Sequence, residues 1–294
     1  MPRILTRYRN GNYVVTLYAD GTKVKETMGD AFIASFPDSI DLKITDYCVN
    51  NCSMCHERSS AAGRHGVLSH PIIDTFHSGM EVAIGGGNPL SHPDLLPFLK
   101  RLKERRVIPN ITVNVIDLKK DTALIEELIR ARLVYGVGVS CHAFDEFAVD
   151  FALAHTNVVL HVINGVFPVE DYRKLAGKGL KVLILGYKEF GRGREYLSSA
   201  VRERMRETRE HLSEILPAFK VVSFDNLALT QLAVKEVIGT ERFDEMYMGA
   251  DGEASMYVDL VREEYALSSA SEERMPLENT LEACFQALRG TARR

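Results

Sequence analysis

Between residues 40 and 225 the chain alternates strand-like apolar runs with helix-like amphipathic ones, which limits the folds open to it more than any other feature. The strand-like runs lie at 40–47, 81–85, 111–115, 135–140, 158–163 and 181–185, with one more at 221–225. Helical patterns fall between them. Two begin with a serine cap and a proline in the first turn, Ser69 with Pro71 and Ser91 with Pro93, and 121–132 reads as a third. Strand, helix and parallel strand make right-handed βαβ units. Six or seven of them predict an α/β fold, a partial TIM-like (β/α)6 barrel. In such sheets the functional groups collect on loops at the C-terminal ends of the strands.

The flanks read differently. Residues 12–19 are rich in Tyr, Val and Leu, Asp20-Gly21 is a hairpin turn, and 22–27 returns. Residues 192–216 predict one long helix whose arginines and glutamates pair along a solvated face. After it come a helix at 227–238, a turn at Ala250-Asp251-Gly252, strand-like runs at 255–260 and 265–268, and a last helix at 277–288. The expected organisation is an N-terminal β-hairpin appendage (1–39), a barrel (40–226) and a C-terminal α+β extension packed on it (227–294). No apolar run approaches the roughly 20 residues of a membrane helix. The first residues lack a signal-peptide pattern, so a cytoplasmic location is expected. A net charge of −4 argues against bulk attraction to nucleic acid, though a local basic groove stays open.

Three of the five cysteines, Cys48, Cys52 and Cys55, fall within eight residues just after the first strand of the alternating region. Cys141 and Cys284 stand apart. Clustered thiolates are soft ligands for an iron–sulfur cluster or for zinc. Zinc would need a fourth ligand, for which His56 and His65 are the nearby candidates. Three thiolates on a four-iron cluster leave one iron open to another ligand.

Cys48-x3-Cys52-x2-Cys55 at the end of a first strand resembles the signature of the radical S-adenosylmethionine (SAM) superfamily, and the resemblance covers about 40–226. It implies a radical SAM barrel with a [4Fe-4S] cluster on the three cysteines. SAM would chelate the open iron, and its reductive cleavage would yield a 5′-deoxyadenosyl radical that takes a substrate hydrogen. An external one-electron reductant of the flavodoxin or ferredoxin type is implied as a partner.

The resemblance also extends to other positions. Met54 stands where many members carry an aromatic, and its backbone would meet adenine. Gly85-Gly86-Gly87-Asn88-Pro89 resembles the family's Gly-Gly-Glu-Pro turn for the SAM amino group, with Asn88 replacing the acid. Asn114 and Ser140 look like contacts to ribose or carboxylate, and Lys188 and Arg192 are candidates to neutralise the SAM carboxylate. Cys141 is a candidate hydrogen-atom donor to a product radical. His142, His161, Asp225 and Asn226 are candidates to face the substrate.

The chain has no further cysteine cluster for an auxiliary iron–sulfur centre, and its appendage is too short for a separate leader-peptide binder. Similarity to compact bacterial and phage-type members adds little about the substrate. The leading expectation is an isomerase acting on a nucleotide or phage DNA base, without net oxidation. Arg101, Lys103, Arg105 and Arg106 would attract phosphate. Radical modification of a peptide or small metabolite is the alternative. A zinc-stabilised binding protein without catalysis is the reading from another class.

Overall fold

A computed structural model describes residues 3–291. At the N-terminus β1 (Ile4–Asn10), β2 (Tyr13–Tyr18) and β3 (Lys23–Thr27) form an antiparallel sheet in that order. The expected hairpin is therefore the second half of a three-stranded sheet. Alternating arginines and apolar residues in β1 had hidden a partly exposed strand. Asp38 anchors this sheet, accepting hydrogen bonds from Asn10 Nδ2 (2.7 Å) and the Tyr13 hydroxyl (2.8 Å) and pairing with Lys25 Nζ (2.7 Å).

The alternating region supplies β4 (Ser39–Thr45), β5 (Glu81–Gly86), β6 (Ile108–Asn114), β7 (Gly136–Ser140), β8 (Val158–Ile163), β9 (Lys181–Leu185) and β10 (Val221–Phe224). β11 (Ser255–Asp259), β12 (Glu264–Ala266) and β13 (Met275–Pro276) follow. All ten join one sheet in the order β10-β9-β8-β7-β6-β5-β4-β11-β12-β13. It is parallel from β10 to β11 and antiparallel through β12 and β13. The sheet does not close, because β10 and β13 remain its edges. The architecture is thus an open, largely parallel α/β sheet.

Residue alternation separates the two faces. Ile40, Leu42 and Ile44 of β4 and Val82 and Ile84 of β5 are at most 1% exposed and sit in the main apolar core. Asp41, Lys43, Ala83 and Gly85 point the other way. Asp41 of β4 and Leu183 of β9 line the same cavity although four strands separate them, so the sheet curls around that face.

Several helices are shorter than their sequence patterns. Residues 69–79 yield only a 3-10 turn, Pro71–Thr75, capped by His70 rather than Ser69. The long charged helix is broken into Arg192–Tyr196, Ser199–Glu210 and Leu212–Ile215. Ser198 caps the middle piece by accepting from Val201 N, which restarts the helix there. The helix at 227–238 is likewise split, at Ala233, whose φ is +50°. No helix among the described residues is long and apolar enough to cross a membrane.

Candidate active site

The cysteine loop leaves the C-terminal end of β4 and is tied back by its own backbone. Cys48 N donates to Ser60 O (3.0 Å), Ser60 N to Asp46 O (3.1 Å) and Cys55 N to Cys52 O (3.2 Å). Arg192 braces it from the far side of the sheet. Its backbone N donates to Cys55 O (3.0 Å), its Nε to Cys52 O (2.9 Å) and its Nη2 to Ser59 O (2.9 Å). Two of the guanidinium nitrogens, Nε and Nη2, are thus engaged by loop carbonyls. Gly191, at φ +56°, lets the chain pass so close that a Cβ there would lie 2.1 Å from His56 O.

The glycine turn docks directly on this loop. Gly87 N donates to Thr45 O and Asn88 N to Tyr47 O, both at 2.7 Å. A Cβ at Gly87 would fall 2.3 Å from Tyr47 O, so only glycine allows the approach. Gly85 differs, since a Cβ there would meet nothing within 4 Å. It leaves bare backbone beside the loop.

Asn88 is 3% exposed. Its Oδ1 accepts from Leu90 N (3.0 Å) and its Nδ2 donates to Asp117 Oδ1 (2.9 Å). Asp117 Oδ2 in turn accepts from Asn50 Nδ2 (2.6 Å), between the first two cysteines. Burial pushes the Asp117 carboxyl up, while the Asn50 hydrogen bond pulls the other way. The sequence reading missed both Asn50 and Asp117. A carboxylate in the first turn of the helix after β6 (Val115–Lys120), with an asparagine replacing an acid in the glycine turn, was the available signal.

Asn114, Ser140 and His161 are register partners across β6, β7 and β8, so all three share the face that carries Lys43 and Gly85. Asn114 Nδ2 lies 4.0 Å from Cys52 Sγ, while its Oδ1 caps the following helix at Ile116 N (2.9 Å). His161 lies across Gly138, where a Cβ would come within 2.2 Å of the imidazole. Lys188 Nζ donates to Ser269 Oγ (2.7 Å) and sits 3.3 Å from His56 Nε2.

Two candidate side chains lie in apolar packing. Met54 packs against a small apolar cluster of Val166, Tyr187 and Val201. Cys141 is 3% exposed inside the main core, with its thiol pushed up to about 12 by burial and by Asp145. That placement makes Cys141 part of the packed core, one residue beyond the end of β7.

The donor set decides between a single ion and a cluster. His65 Nδ1 is 2.9 Å from Thr45 Oγ1, and His56 Nε2 faces Glu57 and Lys188, so one nitrogen of each ring has a partner away from the thiols. Among the described residues no three His, Cys, Asp or Glu side chains converge on a single-ion site. Burial and the neighbouring thiols of Cys48 and Cys55 push Cys52 up to about 11, against the pull of Arg192. Three thiols on one short loop fit a multi-iron cluster with one open iron.

A cavity of about 1320 Å³ opens between β10 and the C-terminal strands, lined by Asp41, Leu185, Phe224, Asp225 and Ser269 among others. No cysteine lines it. It meets the loop through Lys188, which touches His56 beside Cys55. Asp225 caps a helix by accepting from Ala228 N (2.7 Å), and Asn226 donates to Asp251 (2.7 Å). The cationic group lies on the outer helical layer instead. Arg101 pairs with Asp74 at 2.6 Å and Lys103 donates to Ala131 O at 2.8 Å.

No family model matches the chain, and no curated protein matches it in sequence. Its fold does match solved structures. Streptococcus suis SuiB bound to precursor peptide SuiA aligns with a TM-score of 0.58 at 15% identity, covering 89% of this chain and 67% of that one. SuiB bound to S-adenosylmethionine gives a TM-score of 0.57 at 16% identity, covering 89% and 66%. This chain spans about two thirds of SuiB's length. At such identity the likeness is one of fold. The chain shares the fold of SuiB.

Proposed function

We propose that this chain is a radical SAM enzyme. The observation that carries the reading is the join between the three-cysteine loop at the end of β4 and the glycine turn at the end of β5, made through Gly87 N and Asn88 N. Cys48, Cys52 and Cys55 would hold a [4Fe-4S] cluster, which when bound would supply one-electron reductive cleavage of SAM for hydrogen abstraction from substrate.

The chain's own residues orient these partners. The bare backbone at Gly85 admits the amino-acid end of SAM without a side chain in the way. Asn114 and Ser140, in one row across β6 and β7, face the nucleoside end. Lys188, at the join between loop and cavity, is the cation available to a carboxylate. Arg192 and the Asn50–Asp117–Asn88 chain keep the loop in place.

For the substrate we favour a peptide segment entering the cavity between β10 and the C-terminal strands. Two observations support this over a nucleotide. Arg101 and Lys103, expected to attract phosphate, are bound to protein groups on the outer layer. The matched SuiB structure holds a precursor peptide. Isomerisation of a nucleotide or DNA base is the second reading, favoured by the two remaining cysteines, Cys141 and Cys284, being separate and buried rather than set out for another cluster. Incubating the reconstituted chain with SAM, a reductant and either deuterated peptides or deuterated nucleosides separates the two: label passes into 5′-deoxyadenosine only with the true class. External electron supply by a flavodoxin or ferredoxin belongs to the same proposal.

A further inference from the structure

Beside the cysteine loop, Lys43 of β4 is only 2% exposed yet carries three carboxylate neighbours. Its Nζ lies 2.6 Å from Glu57 Oε2, 2.7 Å from Asp46 Oδ1 and 3.1 Å from Asp259 Oδ2. The three acids come from three directions. Asp46 precedes Cys48 by two residues, Glu57 follows Cys55 by two, and Asp259 of β11 is Lys43's register partner on the neighbouring strand. The Tyr257 hydroxyl donates to Glu57 Oε1 (3.2 Å), and the Arg274 guanidinium lies 4.6 Å from the Tyr257 ring centroid. One buried ammonium therefore joins both shoulders of the loop to the C-terminal strands.

A buried ammonium needs one good carboxylate to offset its desolvation. Lys43 has three, so the group carries two unbalanced negative charges (three carboxylates against one ammonium). That excess is unexplained by folding alone, because apolar residues fill such a site at less cost. Two of the carboxylates, Asp46 and Glu57, lie two residues along the chain from Cys48 and Cys55. The reduction potential of an iron–sulfur cluster follows the charge and hydrogen bonds around it, and residues that orient its ligands alter metal retention.

Taking the loop as the cluster site proposed above, we infer that Lys43 is a positioning residue for the cluster. It clamps the loop's two shoulders to β11, and the carboxylates of Glu57 and Asp259 hold the cluster's potential low. The reduced cluster is thereby made a stronger donor. The C-terminal strands belong to the redox site through Asp259 and Tyr257.

The test uses the full chain, reconstituted anaerobically with iron and sulfide, as wild type, Lys43→Met, Asp259→Asn and Glu57→Gln. Asp259 Oδ1 accepts from Val261 N (2.8 Å) and Arg262 N (3.1 Å), a role the asparagine carbonyl keeps. The cluster potential is read by EPR-monitored titration and iron loss by transfer to a chelator. Removing the cation lowers the potential, removing either carboxylate raises it, and all three variants release iron about tenfold faster. A purely structural clamp would speed iron loss without moving the potentials in opposite directions. That result, or unchanged potentials, overturns the inference. Should Lys43→Met fail to fold, Asp259→Asn and Glu57→Gln decide, since both must raise the potential. A wild-type chain that takes up no iron and sulfide overturns the cluster reading itself, and the clamp with it.

Discussion

Asp117 accepts a 2.6 Å hydrogen bond from Asn50, which stands midway between Cys48 and Cys52, and so fastens the cysteine loop to the helix that follows β6, Val115–Lys120. The same carboxylate holds Asn88 of the glycine turn at 2.9 Å. Three strand ends are thus joined through one buried acid. Replacing it with alanine leaves two amides without acceptors. Asp117→Ala is expected to lose about 3 kcal/mol in urea unfolding of the metal-free chain. Asp117→Asn, which keeps one acceptor oxygen, is expected to lose roughly half of that.

The two neighbouring glycines should separate fold from binding. Gly87→Ala drives a Cβ into Tyr47 O, and a loss of about 2 kcal/mol or more in thermal or urea unfolding is expected. Gly85→Ala meets open space and should change stability by less than about 0.5 kcal/mol. If Gly85 lies against SAM, the added methyl weakens SAM binding by calorimetry about tenfold or more. Unchanged SAM affinity in Gly85→Ala would remove this glycine from the site.

His161 gives the chain an acid-sensitive point. Burial pushes its imidazole down to about 4 from the ordinary 6.5, so the folded chain keeps it neutral where the unfolded chain is protonated. The stability tied to this group is complete above about pH 6.5 and is lost as pH falls from there towards 4. The full shift corresponds to at most about 3.5 kcal/mol, since one pKa unit is about 1.4 kcal/mol. Urea unfolding followed by circular dichroism across this range should show a shallower acid slope in His161→Gln than in wild type. Equal slopes would mean that His161 is solvated.

Much of this layout was legible because it is periodic or local. Val158–Ile163 and Lys181–Leu185 are apolar runs of strand length, and their ends were readable to the residue. The cysteine spacing and the glycine triplet are local patterns that need no knowledge of the fold. Helix lengths were less legible, because Ser198 and Ala233 interrupt patterns whose periodicity continues across them. Least legible were partners distant in sequence. Asn50 meets Asp117 across 67 residues and Lys43 meets Asp259 across the whole barrel region, and neither pairing has a one-dimensional signature. Arg192 shows the converse. Its charge was visible, but its commitment to the Cys52 and Ser59 carbonyls depends on how the strand ends meet.

The central claim is that Cys48, Cys52 and Cys55 hold a cluster that cleaves SAM. Anaerobic reconstitution followed by iron and sulfide analysis and measurement of 5′-deoxyadenosine formed from SAM and dithionite tests it most directly. The account predicts about four irons and four sulfides per chain, SAM-dependent 5′-deoxyadenosine, and loss of both in Cys52→Ala. Stoichiometric zinc with intact SAM would contradict it.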